Sequence, residues 1–318
     1  MWLPGRKTKS NSVHNVRIKR FPGDYVEVLC CESPIFRDDG MEPCDVWKTA
    51  PKMEKYSSCA GSSEESTARS IRRARARIRE LCLANRFDMF CTLTLDAARI
   101  DRYDVSAIVR KMGQWADNQV RRHGLKYCLV PELHKDGAVH FHGFLQWPDG
   151  GGFVDSGTIR LPGKQHKAPR RPRTAAQREA WLADGGQIVY NIPAWPYGFS
   201  TAIALYGDYD AAVGYVAKYI GKGMDGDAEK GGAVDRDADI IPGKIGGRWY
   251  YSGGALLEPQ RSYMDAQLDD VRRLPGAYEF AIEDAHKGFV LWRGAASALP
   301  GWIQDAMDHR KDHCEAPV

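Results

Sequence analysis

No apolar stretch in the 318 residues approaches the roughly 18 that a membrane helix needs, and hydrophobic residues reach 43% of the chain. A globular protein with no membrane partner is therefore expected. The N-terminus, MWLPGRKTKS, has basic residues without an apolar core behind them. No secretory signal is expected, and the cytoplasm is the default location. The eight cysteines include no CxxC pair and no zinc-ligand spacing, so reduced, structural thiols are expected. Cys82, Cys91 and Cys128 lie within apolar segments, where a free thiol behaves as a small hydrophobe. A GxxxxGK[ST] loop is missing as well, so no ATP site is expected. Internal repeats are also absent.

An excess of one charge sign is nearly lacking, since 45 Lys and Arg face 41 Asp and Glu for a net charge of +4. The distribution says more. The run 68–80, ARSIRRARARIRE, carries six arginines against one glutamate, and 163–173, GKQHKAPRRPR, is basic and proline-rich. Such clusters suit a polyanion, with Arg69, Arg72, Arg73, Arg75, Arg170 and Arg171 as candidate contacts to nucleic-acid phosphates. A solvated helix face plus a loop accounts for the same composition.

Periodicity divides the chain. Residues 1–65 are weakly patterned and are expected to form an irregular N-terminal segment, with strand-like pieces such as Tyr25–Leu29. Over 66–255, helices are expected at 67–84, 104–122 and 208–223, the last closed by Gly221 and Gly223. Strands are expected at 88–96, 126–133, 138–146 and 247–253, and a long loop at 148–175. Residues 256–318 read as a C-terminal extension of mixed pattern. The alternation of strands and helices indicates an α+β or α/β domain.

The segment from Glu132 to His142, ELHKDGAVHFH, is the most informative. Side chains on a strand alternate, so His140 and His142 share one face. Lys135-Asp136-Gly137 suits a three-residue hairpin loop with glycine in the left-handed position. That register pairs Glu132 with His140, and paired residues share a face. A 2-His-1-carboxylate cluster results, with His134 a poorer ligand at the edge of the turn. Mixed nitrogen and oxygen ligands suit Mg²⁺ or Mn²⁺ at phosphate, while zinc, iron and simple surface histidines stay open.

On the third helix, Tyr215, Lys218, Tyr219 and Lys222 fall within an arc of roughly 100°. Val213, Val216, Ala217 and Ile220 are left to the core. A phenol titrates near pH 10, and lysines one turn away favour its phenolate or neutralise a phosphate. Packed tyrosines with solvated lysines would give the same pattern. Trp195-Pro-Tyr-Gly-Phe199 could stack unpaired bases or belong to the core. Trp249, Tyr250 and Tyr251 read as packing residues, and Asp96 as structural.

Three elements in this order, FCTLTLD at 90–96, HFH at 140–142 and YVAKYIGK at 215–222, resemble the three motifs of the HUH rolling-circle replication initiators. The third looks like the two-tyrosine helix of the gene A proteins of single-stranded DNA phages. The resemblance covers about 66–253 and implies a central antiparallel sheet flanked by helices, the Rep-like fold. It further implies that His140 and His142 hold a divalent metal, with Glu132 as third ligand. Tyr215 and Tyr219 would cut and rejoin single-stranded origin DNA through a 5′-phosphotyrosine, with Lys218 and Lys222 assisting. A host helicase and DNA polymerase would be needed. Within the same chemistry, a transposase or a mobilisation relaxase is the alternative. Outside it, a non-enzymatic single-strand binding protein would use the basic runs and aromatics.

Overall fold

The computed structural model describes residues 12–38, 63–134, 136–148, 150–163, 168–205, 209–218, 220, 244–282 and 287–308. The chain divides into two compact units. A terminal unit is made from the described residues of Met1–Cys59 and Glu258–Val318, and a central unit from those of Ala60–Leu257. No helix among the described residues is long and apolar enough to cross a membrane.

The terminal unit opens with β1 (Ser12–His14), β2 (Val16–Arg20), β3 (Tyr25–Cys31) and β4 (Phe36–Asp38). The end of the chain adds β12 (Gln260–Met264), α5 (Leu268–Arg272), β13 (Tyr278–Ile282), β14 (Lys287–Ala295) and α6 (Gly301–Asp308). Five strands form an antiparallel sheet in the order β12-β2-β3-β14-β13, and β1 pairs with β4 separately. Alternate residues Val16, Ile18, Val26, Val28 and Cys30 point to one face and pack with Val271 of α5 and Ile303 of α6. The irregular segment expected over 1–65 thus differs from what is found at 12–38. The short VRIKR and YVEVLCC runs gain their order from partners more than 200 residues later, as in Val28 opposite Trp292. A local reading has no access to such partners. Residues 39–62 lie outside those described.

The central unit runs α1 (Ser63–Asn85), β5 (Met89–Thr94), α2 (Val105–His123), β6 (Lys126–Leu133), β7 (Val139–Gln146) and β8 (Val154–Arg160). It continues with α3 (Ala175–Ala183), β9 (Gln187–Asn191), β10 (Ser200–Ala204), α4 (Tyr209–Ala217) and β11 (Tyr251–Gly253). Its strands make an antiparallel seven-stranded sheet in the order β11-β6-β7-β5-β10-β9-β8. Two antiparallel sheets with flanking helices make the protein α+β, as the sequence predicts.

Strand alternation sorts the central unit's sheet into two cores. Cys91, Leu93, Leu129, Phe141 and Leu145 face α2, against Ile108, Met112 and Trp115. Cys128, Val130 and Phe144 face the other way, against Ile71, Ile78 and Cys82 of α1 and Val213 and Val216 of α4. Helix α2 is well bounded. The Asp104 carboxylate accepts the Ala107 N–H at 2.9 Å, and Gly124 ends the helix at φ 65°. At Gly143 the strands approach so closely that a Cβ would sit 2.1 Å from the Cys128 carbonyl oxygen.

Two expectations change here. The loop expected at 148–175 contains edge strand β8, whose only fully buried apolar residue is Ile159, so its hydrophobic pattern is faint. Strands β9 and β10 occupy a stretch that reads as turn-rich, and β10 lies directly beside β5.

Candidate functional site

The hairpin β6–β7 has the register read from its turn. Glu132 lies opposite His140 and Leu133 opposite Val139. The His134 N–H donates to the Ala138 carbonyl at 2.7 Å, and Gly137 adopts φ 83°. The Asp136 carboxylate accepts the Ala138 N–H at 3.0 Å, and Arg102 adds an ion pair at 3.2 Å. The Ala138 amide, helped by Arg102 and His134, holds the Asp136 carboxyl below the usual carboxylate range. The turn thereby presents a fixed register to the strands it joins.

Glu132, His140 and His142 converge as a result. His140 Nε2 lies 3.1 Å and His142 Nε2 3.0 Å from Glu132 Oε2, and the two Nε2 atoms are 2.8 Å apart. All three side chains are nearly buried, at 11–13% exposure. One shared proton can join two of these atoms, whereas a cation can satisfy all three. Ligands held at right angles about 2.1 Å from one ion lie about 3.0 Å apart, which matches the observed spacing. The group could therefore hold a metal ion.

Orientation of the imidazoles comes from the neighbouring strand. Thr92 of β5 pairs with His142, and its Oγ1 lies 3.0 Å from His142 Nδ1. A His142 ring that binds through Nε2 carries its proton on Nδ1 and donates it to that hydroxyl. The Nδ1 atom of His140 is buried without a hydrogen-bond partner. Its ring sits edge-on to His142 with centroids 4.6 Å apart, and His134 lies 5.7 Å away on the other side. Thr92 is missing from the site residues that the sequence suggests. The alternation in FCTLTLD offers a signal for it, since its threonines share the face of the histidines. Replacing Thr92 with Val should weaken divalent-metal affinity about 10- to 100-fold without unfolding the chain. Calorimetric titration with Mn²⁺ would check this, and unchanged affinity would remove Thr92 from the site.

An open cleft of about 360 Å³ reaches the cluster, lined by Thr92, Thr94, His140 and His142, with Arg102, His134 and Asp136 on the turn side. His134 is 65% exposed and lies 3.4 Å from Asp136, outside the converging three. Asp96 serves the chain locally. Its carboxylate accepts the Ala98 N–H at 3.0 Å, and its carbonyl accepts from Arg99 and Ile100.

Helix α4 lies on the sheet face that carries the cluster, because Val213 and Val216 pack with Phe144 and Val130. One aromatic ring links the two features. Phe90 stacks parallel to His142 at 6.2 Å and meets Tyr215 edge-on at 6.0 Å. Tyr215 is 52% exposed. Tyr209, on the same helix, is committed to the fold: its hydroxyl donates to the Cys82 carbonyl and accepts the Phe87 N–H. Burial pushes its phenol far above the ordinary range. Lys218 is exposed just past the helix end, its N–H reaching the Gly214 and Tyr215 carbonyls. Tyr219, Lys222, Gly221 and Gly223 lie outside the described residues, so the expected helix to 223 is observed through Ala217.

The arginines divide. Arg69, Arg72 and Arg73 are exposed on α1. Arg75 instead grips the Ile220 carbonyl with Nε at 3.2 Å and Nη2 at 2.7 Å, and so ties α1 to the segment after α4. Arg170 and Arg171 sit beside β8, at the far edge of the sheet from β6, and Arg171 donates to the Ser156 carbonyl. Trp249 and Tyr251 are buried, with hydrogen bonds to the Ser70 hydroxyl and the Ile245 carbonyl. Trp195 is core, edge-on to Trp115 at 5.0 Å, whereas Phe199 is 77% exposed.

No curated protein and no solved structure is matched by the chain. The stretch from β5 to just past α4, which contains Thr92, Glu132, His140, His142 and Tyr215, is nevertheless similar to a known family. Residues 88–224 match the family model of replication-associated protein ORF2/gene 2 protein.

Proposed function

We propose that the protein is a metal-dependent endonuclease and strand transferase that nicks single-stranded DNA at a replication origin, and so starts rolling-circle replication. The convergence of Glu132, His140 and His142 on the sheet face that also carries α4 is the observation that supports this most. The match to a replication-associated family directs the chemistry to DNA. A Mg²⁺ or Mn²⁺ ion held by these three residues would supply charge that polarises a non-bridging oxygen of the scissile phosphate.

The remaining steps belong to side chains of this protein. The phenol of Tyr215 or Tyr219 loses its proton, and its oxygen bonds to phosphorus while the bond from phosphorus to the 3′-oxygen breaks. The departing oxygen takes up a proton and becomes a free 3′-hydroxyl. Lys218 and Lys222 favour the phenolate and offset charge on the phosphate. The new 5′-phosphotyrosine bond keeps the energy of the broken phosphodiester, so a later attack by a 3′-hydroxyl reseals the strand without ATP. With two tyrosines, one cuts at the start and the other ends the round. Single-stranded origin DNA, a host helicase and a DNA polymerase are the partners this reading requires.

The test is incubation with single-stranded oligonucleotides spanning a replicon origin and Mn²⁺, followed by a denaturing gel. A protein–DNA adduct that resists denaturation, and is lost with chelator, is expected. Binding without an adduct on any origin strand would favour the non-enzymatic binding protein instead.

A further inference from the structure

Phe199 is the most exposed large hydrophobic residue among those described, at 77%. Its position in the sheet gives the exposure a meaning. Thr201 of β10 lies opposite Thr92, and Thr92 lies opposite His142. Two residues earlier, the Thr94 N–H donates to the Phe199 carbonyl at 2.8 Å, and Thr94 lies opposite His140. Directly opposed residues share a face. Phe199, Thr94, His140 and Glu132 therefore form one row across four strands. Neighbouring strands are about 4.8 Å apart, so Phe199 stands about 10 Å from His140 on the same face.

The backbone under this ring is held from several sides. The Phe199 carbonyl accepts a second bond from Thr94 Oγ1 at 2.9 Å. The adjoining Ser200 hydroxyl accepts the Ile192 N–H at 2.8 Å and donates to the Ile192 carbonyl at 3.3 Å. At Gly198 a Cβ would lie 2.3 Å from the Thr94 carbonyl oxygen, so a residue with a side chain could not let the strands approach this closely. The neighbouring aromatics are used inside, with Trp195 donating to the Thr94 carbonyl and Tyr197 packed edge-on against Trp195. Two cations flank the segment: Arg99 donates to the Pro196 carbonyl at 2.9 Å, and Lys111 lies 5.7 Å from the Tyr197 ring centroid. A solvent-facing ring on a fixed backbone, beside cationic groups, is the composition of a base-stacking platform.

We propose that Phe199 stacks an unpaired base next to the phosphate that is bound at the Glu132–His140–His142 centre, and so sets where the strand lies across β10 and β5. This rests on the reading of the site as one for single-stranded DNA, and deepens it by naming a positioning residue. Stacking requires a π-face, so apolar bulk alone does not replace it.

The test uses the full-length chain and a single-stranded oligodeoxythymidylate that carries one 2-aminopurine, moved along the strand in successive probes. Wild-type protein should quench the probe at one or two positions and bind the strand. Phe199→Ala should weaken binding about 5- to 150-fold and abolish the position-dependent quenching. Phe199→Leu should behave like the alanine variant, and Phe199→Trp like wild type. Wild-type binding that Phe199→Ala leaves unchanged, or full function in Phe199→Leu, would overturn the inference while sparing the proposed function. Failure of the wild-type chain to bind any single strand would overturn both.

Discussion

Chains carrying both Tyr215→Phe and Tyr219→Phe should form no covalent DNA adduct, with nicking reduced by at least about 10³-fold, the scale on which loss of a nucleophile is felt. Phenylalanine keeps the ring and removes only the attacking oxygen. The edge-on packing of Tyr215 against Phe90 uses the ring, so the fold should be indifferent to the change at 215. Tyr215 is half exposed and stands one ring away from His142, whereas the buried Tyr209 phenol is occupied by Cys82 and Phe87. Tyr209→Phe should thus leave adduct formation intact and lower stability instead. The measurement is adduct yield on a denaturing gel for each single and double variant, with mass spectrometry of the DNA–peptide adduct to name the attacking residue. An adduct at wild-type yield in the double variant would exclude both tyrosines.

Removal of one corner of the metal centre should be as severe. In Glu132→Ala the two Nε2 atoms remain 2.8 Å apart with no anionic ligand beside them. Partners of the ligands cost about 10- to 100-fold when removed; loss of a ligand should exceed that, both in Mn²⁺ affinity and in nicking. A readout independent of chemistry is available. An ion present at 100 times its Kd stabilises the folded state by about 2.7 kcal/mol, so Mn²⁺ should raise the Tm of the wild-type chain and leave that of Glu132→Ala nearly unmoved. An equal rise in both proteins would mean that the ion binds elsewhere.

The hairpin is legible in the sequence because its determinants are local. Asp136 and Gly137 dictate the turn, the turn dictates the register, and the register brings Glu132 to His140. Helices α1 and α2 are legible from their apolar spacing, and Ile71, Ile78, Ile108 and Met112 all pack into the cores as that spacing requires. Legibility ends where partners are distant. Thr92 gains its place from a strand 50 residues away, and Arg75 reaches a carbonyl 145 residues on. No spacing rule contains either. Strand β8 hides for another reason, since an edge strand with one deeply buried residue hardly needs a hydrophobic pattern. Phe199 shows the converse. Its segment reads equally as core or platform, and only the three-dimensional sorting separates a buried Trp195 from an exposed Phe199.

The five-stranded sheet of the terminal unit joins the two ends of the chain, with β2 and β3 from the beginning held between β12 and β14 from the end. On a ribosome this has a timing consequence. Strands β2 and β3 leave the exit tunnel early, yet β3 has no partner on its outer edge until Val290, Leu291 and Trp292 have been made. The central unit is meanwhile complete in sequence by Leu257 and can mature first. An unpaired strand edge is a template for the wrong neighbour. Nascent chains halted before β14 should accordingly be recovered in aggregates, and sedimentation of stalled chains of graded length would locate the residue at which that hazard ends.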